Sequence, residues 1–174
     1  MNGRNRTGFT VIELMIVLAI IPIVTMVLAM GMIQYQSLFA GIRADQEMAG
    51  EARTAMQWIG RDLRQSSGVR EKAGPYATSA AGAIALAGPG GKGVVVWTVE
   101  NNALKRIEFL DAQGTPVSAQ SFAADGARLD LDFGAGPATA ARRVGVRILC
   151  SRQLLDERRE FELSGRFGLK GVAR

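Results

Sequence analysis

Charged and apolar residues divide the chain into two very different parts. Between Phe9 and Ile42 the only charged residue is Glu13, whereas beyond Ile42 charges recur every few residues. Residues 14–33 are 20 consecutive uncharged residues rich in Leu, Ile, Val and Met. As a helix rising about 1.5 Å per residue they would be about 30 Å long, which is the thickness of a bilayer's hydrocarbon core. Because this run has almost no polar stripe, the pattern predicts a membrane-spanning helix rather than a buried helix of a soluble domain.

The residues at the two ends of this run predict its orientation in the membrane and whether it is retained in the mature chain. Arg4 and Arg6 precede it, and positively charged flanks stay on the cytoplasmic side. We therefore expect a cytoplasmic N-terminus and an exported chain after about residue 34. Residues 30–34 contain no Ala-x-Ala pattern of the kind that ends a secretory signal, so we expect the apolar segment to be retained. Pro22 removes one helical hydrogen bond and predicts a kink in the span.

An amphipathic pattern replaces the apolar run from about residue 34. Apolar side chains recur in steps of three and four, with Asp45 as the only polar break. A Gln-Ser-Ser-Gly sequence ends the pattern at Gly68, where glycine favours a left-handed helix cap. We expect a helix to about Gln65 whose second half lies on a folded head; a free-standing coiled coil with an Ala-rich seam is the alternative. The predicted buried stripe consists of Leu38, Ile42, Ala49, Ala52, Met56, Ile59 and Leu63.

The rest of the chain predicts strands and turns. Gly and Pro punctuate residues 66–93, which indicates a loop-rich connection with one short strand at 83–86. Beyond it, β-branched, aromatic and alternating apolar residues predict further strands, with a turn at residues 100–102 between the first two. These strands cover about residues 94–99, 104–110, 129–133, 144–150 and 161–167. The predicted fold class is α+β: a long N-terminal helix, membrane-spanning in its first half, packed on an antiparallel β-sheet head.

The basic net charge does not by itself indicate a nucleic-acid partner. The chain carries a formal net charge of +5, to which Arg4 and Arg6 contribute. Elsewhere the basic residues are scattered and followed by acids, as in Arg61-Asp62 and in the segment 105–108. A nucleic-acid surface usually clusters Lys and Arg with aromatic residues between them. We therefore expect these charges to form a solvated surface of mixed sign, and nucleic acid is not among the predicted partners.

Residue types that carry catalysis are scarce. The chain has no histidine and a single cysteine, Cys150, which removes the commonest general base and excludes an intramolecular disulfide. Cys150 lies in an apolar strand pattern and is predicted to be buried. Asp130 and Asp132 lack an EF-hand spacing, so we expect solvent-facing acids rather than a calcium site. The Gly-rich segment 88–93 lacks the P-loop pattern. We predict no enzymatic activity, no cofactor and no metal site.

Glu13 is the unusual residue beside the apolar run, because a carboxylate next to a membrane span is costly to bury and calls for a partner. A cut between Gly8 and Phe9 would create an ammonium group four residues before Glu13, on the same helix face. The alternative is that Glu13 merely lies among lipid headgroups. The type IV prepilin signature combines a short basic leader ending in Gly, a Phe, a Glu at the fifth mature position and an apolar helix. Residues 8–15, Gly-Phe-Thr-Val-Ile-Glu-Leu-Met, resemble it closely.

The resemblance implies how the N-terminus is processed and used. A prepilin peptidase would cut after Gly8 and methylate the amine of Phe9. Glu13 would then neutralise the Phe9 ammonium of a neighbouring subunit as a filament grows. The chain would comprise a prepilin leader at 1–8, a transmembrane assembly helix at 9–33, an amphipathic stalk helix at 34–65 and a β-rich head at 66–174.

The head carries a weaker resemblance of the same kind. Residues 57–65, Gln-Trp-Ile-Gly-Arg-Asp-Leu-Arg-Gln, are similar to the helix end of minor pilins and J-type minor pseudopilins, and residues 96–106 are similar to their hairpin. This implies a structural subunit that joins a type IV pilus (a fimbrium) or a type II protein-secretion pseudopilus. Its partners would be the prepilin peptidase, other pilin or pseudopilin subunits, the inner-membrane assembly platform and the lipid bilayer.

The implied location is the bacterial inner membrane, with the head in the periplasm, and then the filament. The choice between pilus, secretion and DNA-uptake systems stays open. The alternative function is a single-pass envelope binding or sensor domain that never polymerises.

Overall fold

The fold is α+β, with one long apolar helix followed by antiparallel sheets. A computed structural model describes residues 10–88, 93–111, 116–122, 126–154 and 157–169. The helix, α1, spans Val11–Gln65 and is 55 residues long. The chain divides into two compact units between Arg43 and Ala44.

The first unit contains the apolar half of α1. Twenty-one large apolar side chains from Val11 to Ile42 have exposed fractions between 40 and 77%. Pro22 and residues 30–32 all lie within the helix. Because Pro22 has no N–H, the Leu18 carbonyl lacks its helical donor. Nearby, the Thr25 hydroxyl donates to the Ile21 and Pro22 carbonyls, both at 3.0 Å. The kink at Pro22 stays a prediction. By its length and composition, this helix could cross a membrane.

The second unit begins with the rest of α1 and contains two larger sheets and a short hairpin. The five-stranded sheet has the order β1-β4-β5-β6-β7, and every neighbouring pair is antiparallel. Its strands are β1 (Gly68–Arg70), β4 (Ala83–Ala87), β5 (Val94–Glu100), β6 (Ala103–Phe109) and β7 (Pro116–Ser121). The turn from β5 to β6 places Asn101 and Asn102 at φ of 53° and 61°, a left-handed pair that Asn tolerates better than most residues. The predicted turn is confirmed.

The remaining strands form a second sheet and a small hairpin. The three-stranded sheet has the order β10-β9-β8, with β8 at Arg128–Asp132, β9 at Arg143–Leu154 and β10 at Glu157–Gly168. Its register places Leu129, Ile148 and Leu163 side by side. The hairpin pairs β2 (Lys72–Ala73) with β3 (Tyr76–Ala77).

Side chains from the second half of α1 form the core with both larger sheets. Ala52, Ala55, Ile59 and Leu63 are fully buried, as expected for an apolar stripe that faces a sheet. They share one cluster with sheet residues that include Trp97, Leu104, Leu129, Val144 and Ile148. A second cluster on the opposite face of the five-stranded sheet includes Ala73, Ala85, Val94, Val96, Ile107 and Phe109, with Tyr76 packed against it. The prediction that this half of α1 packs on a folded head is therefore confirmed.

The structure differs from the sequence prediction in three details. Leu38 and Ile42, assigned to the buried stripe, are 64% and 44% exposed, and burial on α1 begins instead with Gly41, Ala44 and Met48. The connection 66–93 also contains three short strands, β1 to β3, besides the predicted strand β4. Two- and three-residue strands carry too little alternation to be recognised from a pattern. The uncharged strand β7 was likewise not predicted.

Candidate assembly site

The helix begins with a reciprocal cap between Thr10 and Glu13. The Thr10 backbone N–H and hydroxyl both donate to Glu13 Oε2 at 2.9 Å, and the Glu13 N–H donates to Thr10 Oγ1 at 3.3 Å. This is the capping-box arrangement, in which a Thr and a Glu three residues later satisfy backbone donors that the helix cannot. Glu13 therefore has a local structural role that requires no second chain.

The predicted processing residues directly precede Thr10 in the sequence. Gly8 and Phe9, the predicted cleavage junction and methylation site, lie outside the described residues. Glu13 lies in the first turn of α1, where the helix dipole favours negative charge. A carboxylate with an exposed side chain at this position can accept further donors besides Thr10, because each of its oxygens has two lone pairs.

The surface of α1 downstream of Glu13 offers apolar contact on every side. Among the described residues of the first unit, Glu13 and Arg43 are the only charged side chains, and all of the exposed apolar residues except Val11 and Ile12 lie between them. Beyond the bilayer-length run, Tyr35 and Phe39 stack with ring centroids 4.2 Å apart. Exposure of a surface of this kind to water is unfavourable, and an apolar environment would stabilise it.

A buried polar cluster, which we call the Asp62 cluster, joins the end of α1 to the head. It consists of Asp62, Trp97, Arg106 and Glu108. Asp62 Oδ2 accepts from Arg106 Nε at 2.7 Å and from Trp97 Nε1 at 2.9 Å, while Oδ1 accepts from Arg106 Nη2 at 3.2 Å. Arg106 Nη1 also donates to Glu108. Asp62 and Arg106 are only 8% and 7% exposed, so the prediction of a solvated mixed-sign surface is wrong for both.

Burial and charge act in opposite directions on Arg106. Burial alone would lower the pKa of its guanidinium, but hydrogen bonds to the Asp62 and Glu108 carboxylates outweigh it and raise the pKa above its usual value. Its guanidinium carbon also lies 5.4 Å from the centre of the Trp58 ring. The cluster is therefore a fixed ion pair that orients the helix end on the sheet.

A pattern in the sequence could have revealed this cluster. Asp62 follows Ile59 by three residues and precedes Leu63, so it borders the buried face of α1. Arg106 lies two residues after the fully buried Leu104, so both side chains lie on the same face of β6. Two opposite charges on facing apolar surfaces predict a buried pair.

The other candidate residues have structural surroundings. Cys150 is buried and free, as predicted, and its burial, together with the negative charge of Glu51, raises the pKa of its thiol. Asp130 Oδ1 accepts from Arg128 Nε at 3.1 Å, and Asp132 Oδ1 accepts from the Gly134 N–H at 2.9 Å. Asp132 is exposed and Asp130 is half-buried. Within the described residues, no three His, Cys, Asp or Glu side chains group together as metal ligands.

Comparisons with protein-family models, with curated proteins and with solved structures found no match.

Proposed function

We propose that this chain is a pilin-like structural subunit that is anchored by α1 and assembled into a filament through it. The observation that carries the proposal is the exposed apolar half of α1, which starts at Val11 and carries Glu13 in its first turn. The same helix continues in sequence into residues that form the core of a head. A chain with these two parts can be held in a bilayer and then transferred to a bundle of like helices.

Burial of apolar surface supplies the driving force in both surroundings. A large apolar side chain gains about 1.5–3 kcal/mol when it is moved from water to an apolar environment. In a bilayer, lipid covers the side chains from Val11 to Ile33; in a filament, neighbouring copies of α1 cover them. Because both environments are apolar, the hydrophobic free energy changes little when a subunit moves from one to the other. Polar groups therefore determine the position that a subunit takes in the filament.

Glu13 is the polar group that fixes the position of a subunit in the filament. Both of its carboxylate contacts with Thr10 use Oε2, so the carboxylate has lone pairs left for a further donor. Inside an apolar bundle an uncompensated carboxylate costs several kcal/mol. An ammonium at Phe9 of a neighbouring subunit would remove that cost. The pairing therefore selects subunits that have been cut after Gly8 and are placed in the correct axial register.

The proposal includes no catalysed reaction, no cofactor and no bound metal. Prepilin peptidase and the inner-membrane assembly platform are the proposed partners in the membrane, and other pilin or pseudopilin subunits are the proposed partners in the filament. The Asp62 cluster has a supporting role, because it fixes α1 to the β-rich head.

Mass spectrometry of the mature N-terminus tests the proposal most directly. We expect a chain that starts at methylated Phe9 in bacteria with an active prepilin peptidase, and a chain that starts at Met1 in a strain without one. A Gly8→Leu variant should stay uncut in both strains. An unprocessed wild-type chain in the peptidase-positive strain would refute the proposal.

The capping box favours a second candidate function, a single-pass anchored domain that never polymerises. Thr10 already gives Glu13 a local role, so Glu13 would need no neighbour. The two functions differ in their dependence on the carboxylate. Replacing Glu13 with Ala should abolish recovery in sheared filament fractions if the chain assembles, whereas a lone anchor would remain in the membrane with its function intact.

A further inference from the structure

The hairpin of β9 and β10 carries two arginines that lie directly opposite each other near its end. Arg152 pairs with Arg159 in the register of the two strands, and like charges in opposite positions on neighbouring strands are destabilising. Arg152 comes two residues after the buried Cys150, and Arg159 comes two residues before the partly buried Phe161. Because residues two apart share a face of a strand, the apolar face of the hairpin becomes basic at this end.

Two carboxylates of α1 offset these charges. Arg152 Nη1 donates to Glu47 Oε2 at 2.9 Å, and Arg159 Nη1 donates to Asp45 Oδ2 at 3.3 Å. Asp45 is the polar break in the apolar pattern of α1, and its contact with Arg159 gives that carboxylate a partner on the sheet. Polar contacts therefore join α1 to the end of the hairpin.

This attachment is weaker than the packing of the apolar core. The four side chains of the two ion pairs are between 20 and 64% exposed, and ion pairs in contact with solvent contribute little to stability. Arg159 Nε is buried without an acceptor among the described residues, which is a cost of the closed arrangement. Ala44 and Met48, which are buried on this part of α1, belong to neither core cluster. Segments with few apolar contacts open more readily than the core of a domain.

We propose that the end of this hairpin, residues 150–152 and 159–161, is a clasp that opens from α1 while the rest of the head stays folded. The ion pairs Asp45–Arg159 and Glu47–Arg152 hold the clasp closed. Opening uncovers Met48, and the cover of α1 then begins near Ala52, the first helix residue in the main core cluster. The clasp thus sets how much of α1 is available for contact with another molecule, and salt, which screens exposed ion pairs, favours the open arrangement.

The thiol of Cys150 reports the opening. It is 1% exposed, it belongs to the clasp, and it is the only cysteine of the chain. The full chain in detergent micelles is reacted with a neutral maleimide in about 0.1 M and about 1 M NaCl, between which the screening length falls from about 10 Å to about 3 Å. The rate relative to that of the urea-unfolded chain gives the fraction in which the thiol is accessible. Urea unfolding followed by tryptophan fluorescence gives the fraction that is globally unfolded.

We expect Cys150 to react faster than global unfolding allows, with a weak dependence on urea and a higher rate at the higher salt concentration. Asp45→Asn and Glu47→Gln should each raise the rate by about 1.5-fold to fivefold, which is the effect of losing one exposed ion pair. The double variant Asp45→Asn/Glu47→Gln should react fastest and lose most of the salt dependence.

Glu162→Gln is the matched control. Glu162 forms a 3.3 Å ion pair with Arg147, both side chains are more than half exposed, and the pair lies on the opposite face of the same hairpin. Its loss should leave the rate at the wild-type value. A wild-type rate no higher than global unfolding allows would show that the clasp does not open by itself. Equal acceleration by Glu162→Gln and Asp45→Asn, or none by either α1 substitution, would show that these ion pairs do not hold it closed. None of these results depends on whether the chain is assembled into a filament.

Discussion

Arg106 binds the carboxylate of Asp62 through two nitrogens, Nε at 2.7 Å and Nη2 at 3.2 Å, and so connects the last turn of α1 to strand β6. Both side chains are less than one-tenth exposed. A buried pair of this kind adds little net stability compared with apolar residues of the same volume, but the loss of one partner leaves an uncompensated charge.

We therefore predict that Arg106→Met destabilises the head by about 3–5 kcal/mol, because Asp62 would keep its charge and lose its cation. The double variant Asp62→Leu/Arg106→Met should recover most of this loss. Urea unfolding of the full chain in micelles, followed by tryptophan fluorescence, measures both. Arg128→Met is the control: Arg128 is 69% exposed and Asp130 is half-buried, so the loss of this ion pair should stay below about 1 kcal/mol. A loss at Arg106 as small as this would contradict the prediction.

Gly60 allows α1 to approach β10 closely. A Cβ added at Gly60 would lie 2.5 Å from Cε1 of the Phe167 ring, whereas one added at Gly50, on the same helix, would meet nothing within 4 Å. Alanine is favoured over glycine by about 0.5–1 kcal/mol inside a helix. We predict that Gly50→Ala stabilises the head by about this amount, whereas Gly60→Ala destabilises it through overpacking, by about 1–3 kcal/mol.

The same urea unfolding measures both glycine variants. The double variant Gly60→Ala/Phe167→Leu removes the ring that causes the overlap, so it should be more stable than the sum of the two single changes implies. If Gly60→Ala is as stabilising as Gly50→Ala, the packing of α1 on β10 is not as close as the structure shows.

Long periodic segments of this fold could be predicted from the sequence. The long apolar run of α1 indicates a helix by its length, and the alternation in β8 and β9 indicates strands. Strands β5 and β6 are indicated by their β-branched and aromatic residues and by the polar turn between them. Strand β7 could not be predicted in this way, because the apolar alternation in Pro-Val-Ser-Ala-Gln-Ser is limited to Val117 and Ala119. Its strand conformation comes from pairing with β6.

A candidate site could be predicted from the sequence only where its residues are close together along the chain. The Thr10-x-x-Glu13 cap follows from local sequence, since both partners are in one helical turn. The partnership of Asp62 with Arg106 joins residues 44 positions apart, so it depends on how α1 packs on the sheet. Leu38 and Ile42 were wrongly predicted to be buried. Their helical spacing fits the apolar stripe, but the sequence pattern does not indicate at which residue burial of α1 begins.

Tyr76 is predicted to lose its proton at an unusually high pH. Its hydroxyl donates to Glu100 Oε1 at 2.6 Å, and this hydrogen bond, with burial and the charge of Glu100, raises the pKa of Tyr76 from 10.0 to about 12. Because the folded-state pKa lies above the unfolded one, the stabilisation is fully present below about pH 10 and is lost as the pH rises towards about 12.

Ultraviolet absorbance of tyrosinate measures this titration. The chain has two tyrosines, so the measurement uses a Tyr35→Phe background in which only Tyr76 can form tyrosinate. Glu100→Gln in that background should lower the midpoint towards the value of a free tyrosine, because an amide does not stabilise the protonated phenol as a carboxylate does. Identical midpoints with and without Glu100 would rule out the proposed cause.

The two roles of Glu13, helix capping and charge pairing, can be separated by substitution. Thr10→Val removes the hydroxyl of the cap, which accepts from the Glu13 N–H and donates to its carboxylate, and should weaken the start of α1 by about 1 kcal/mol. It leaves the charge of Glu13 in place. Glu13→Gln keeps a side chain that can complete a capping box but removes the charge. If Glu13 pairs with the Phe9 ammonium of a neighbour, filament recovery should fail for Glu13→Gln and persist for Thr10→Val.

Immunoblots of sheared filaments and of membranes from the same cells, with each variant expressed at wild-type level, provide the measurement. Glu13→Asp is the matched control: it retains the charge on a side chain one methylene shorter, so we expect partial recovery between those of Thr10→Val and Glu13→Gln. Loss of filaments in Thr10→Val with full recovery in Glu13→Gln would assign Glu13 to capping alone. Charge pairing would then have no part in assembly, because the carboxylate could be neutralised without effect.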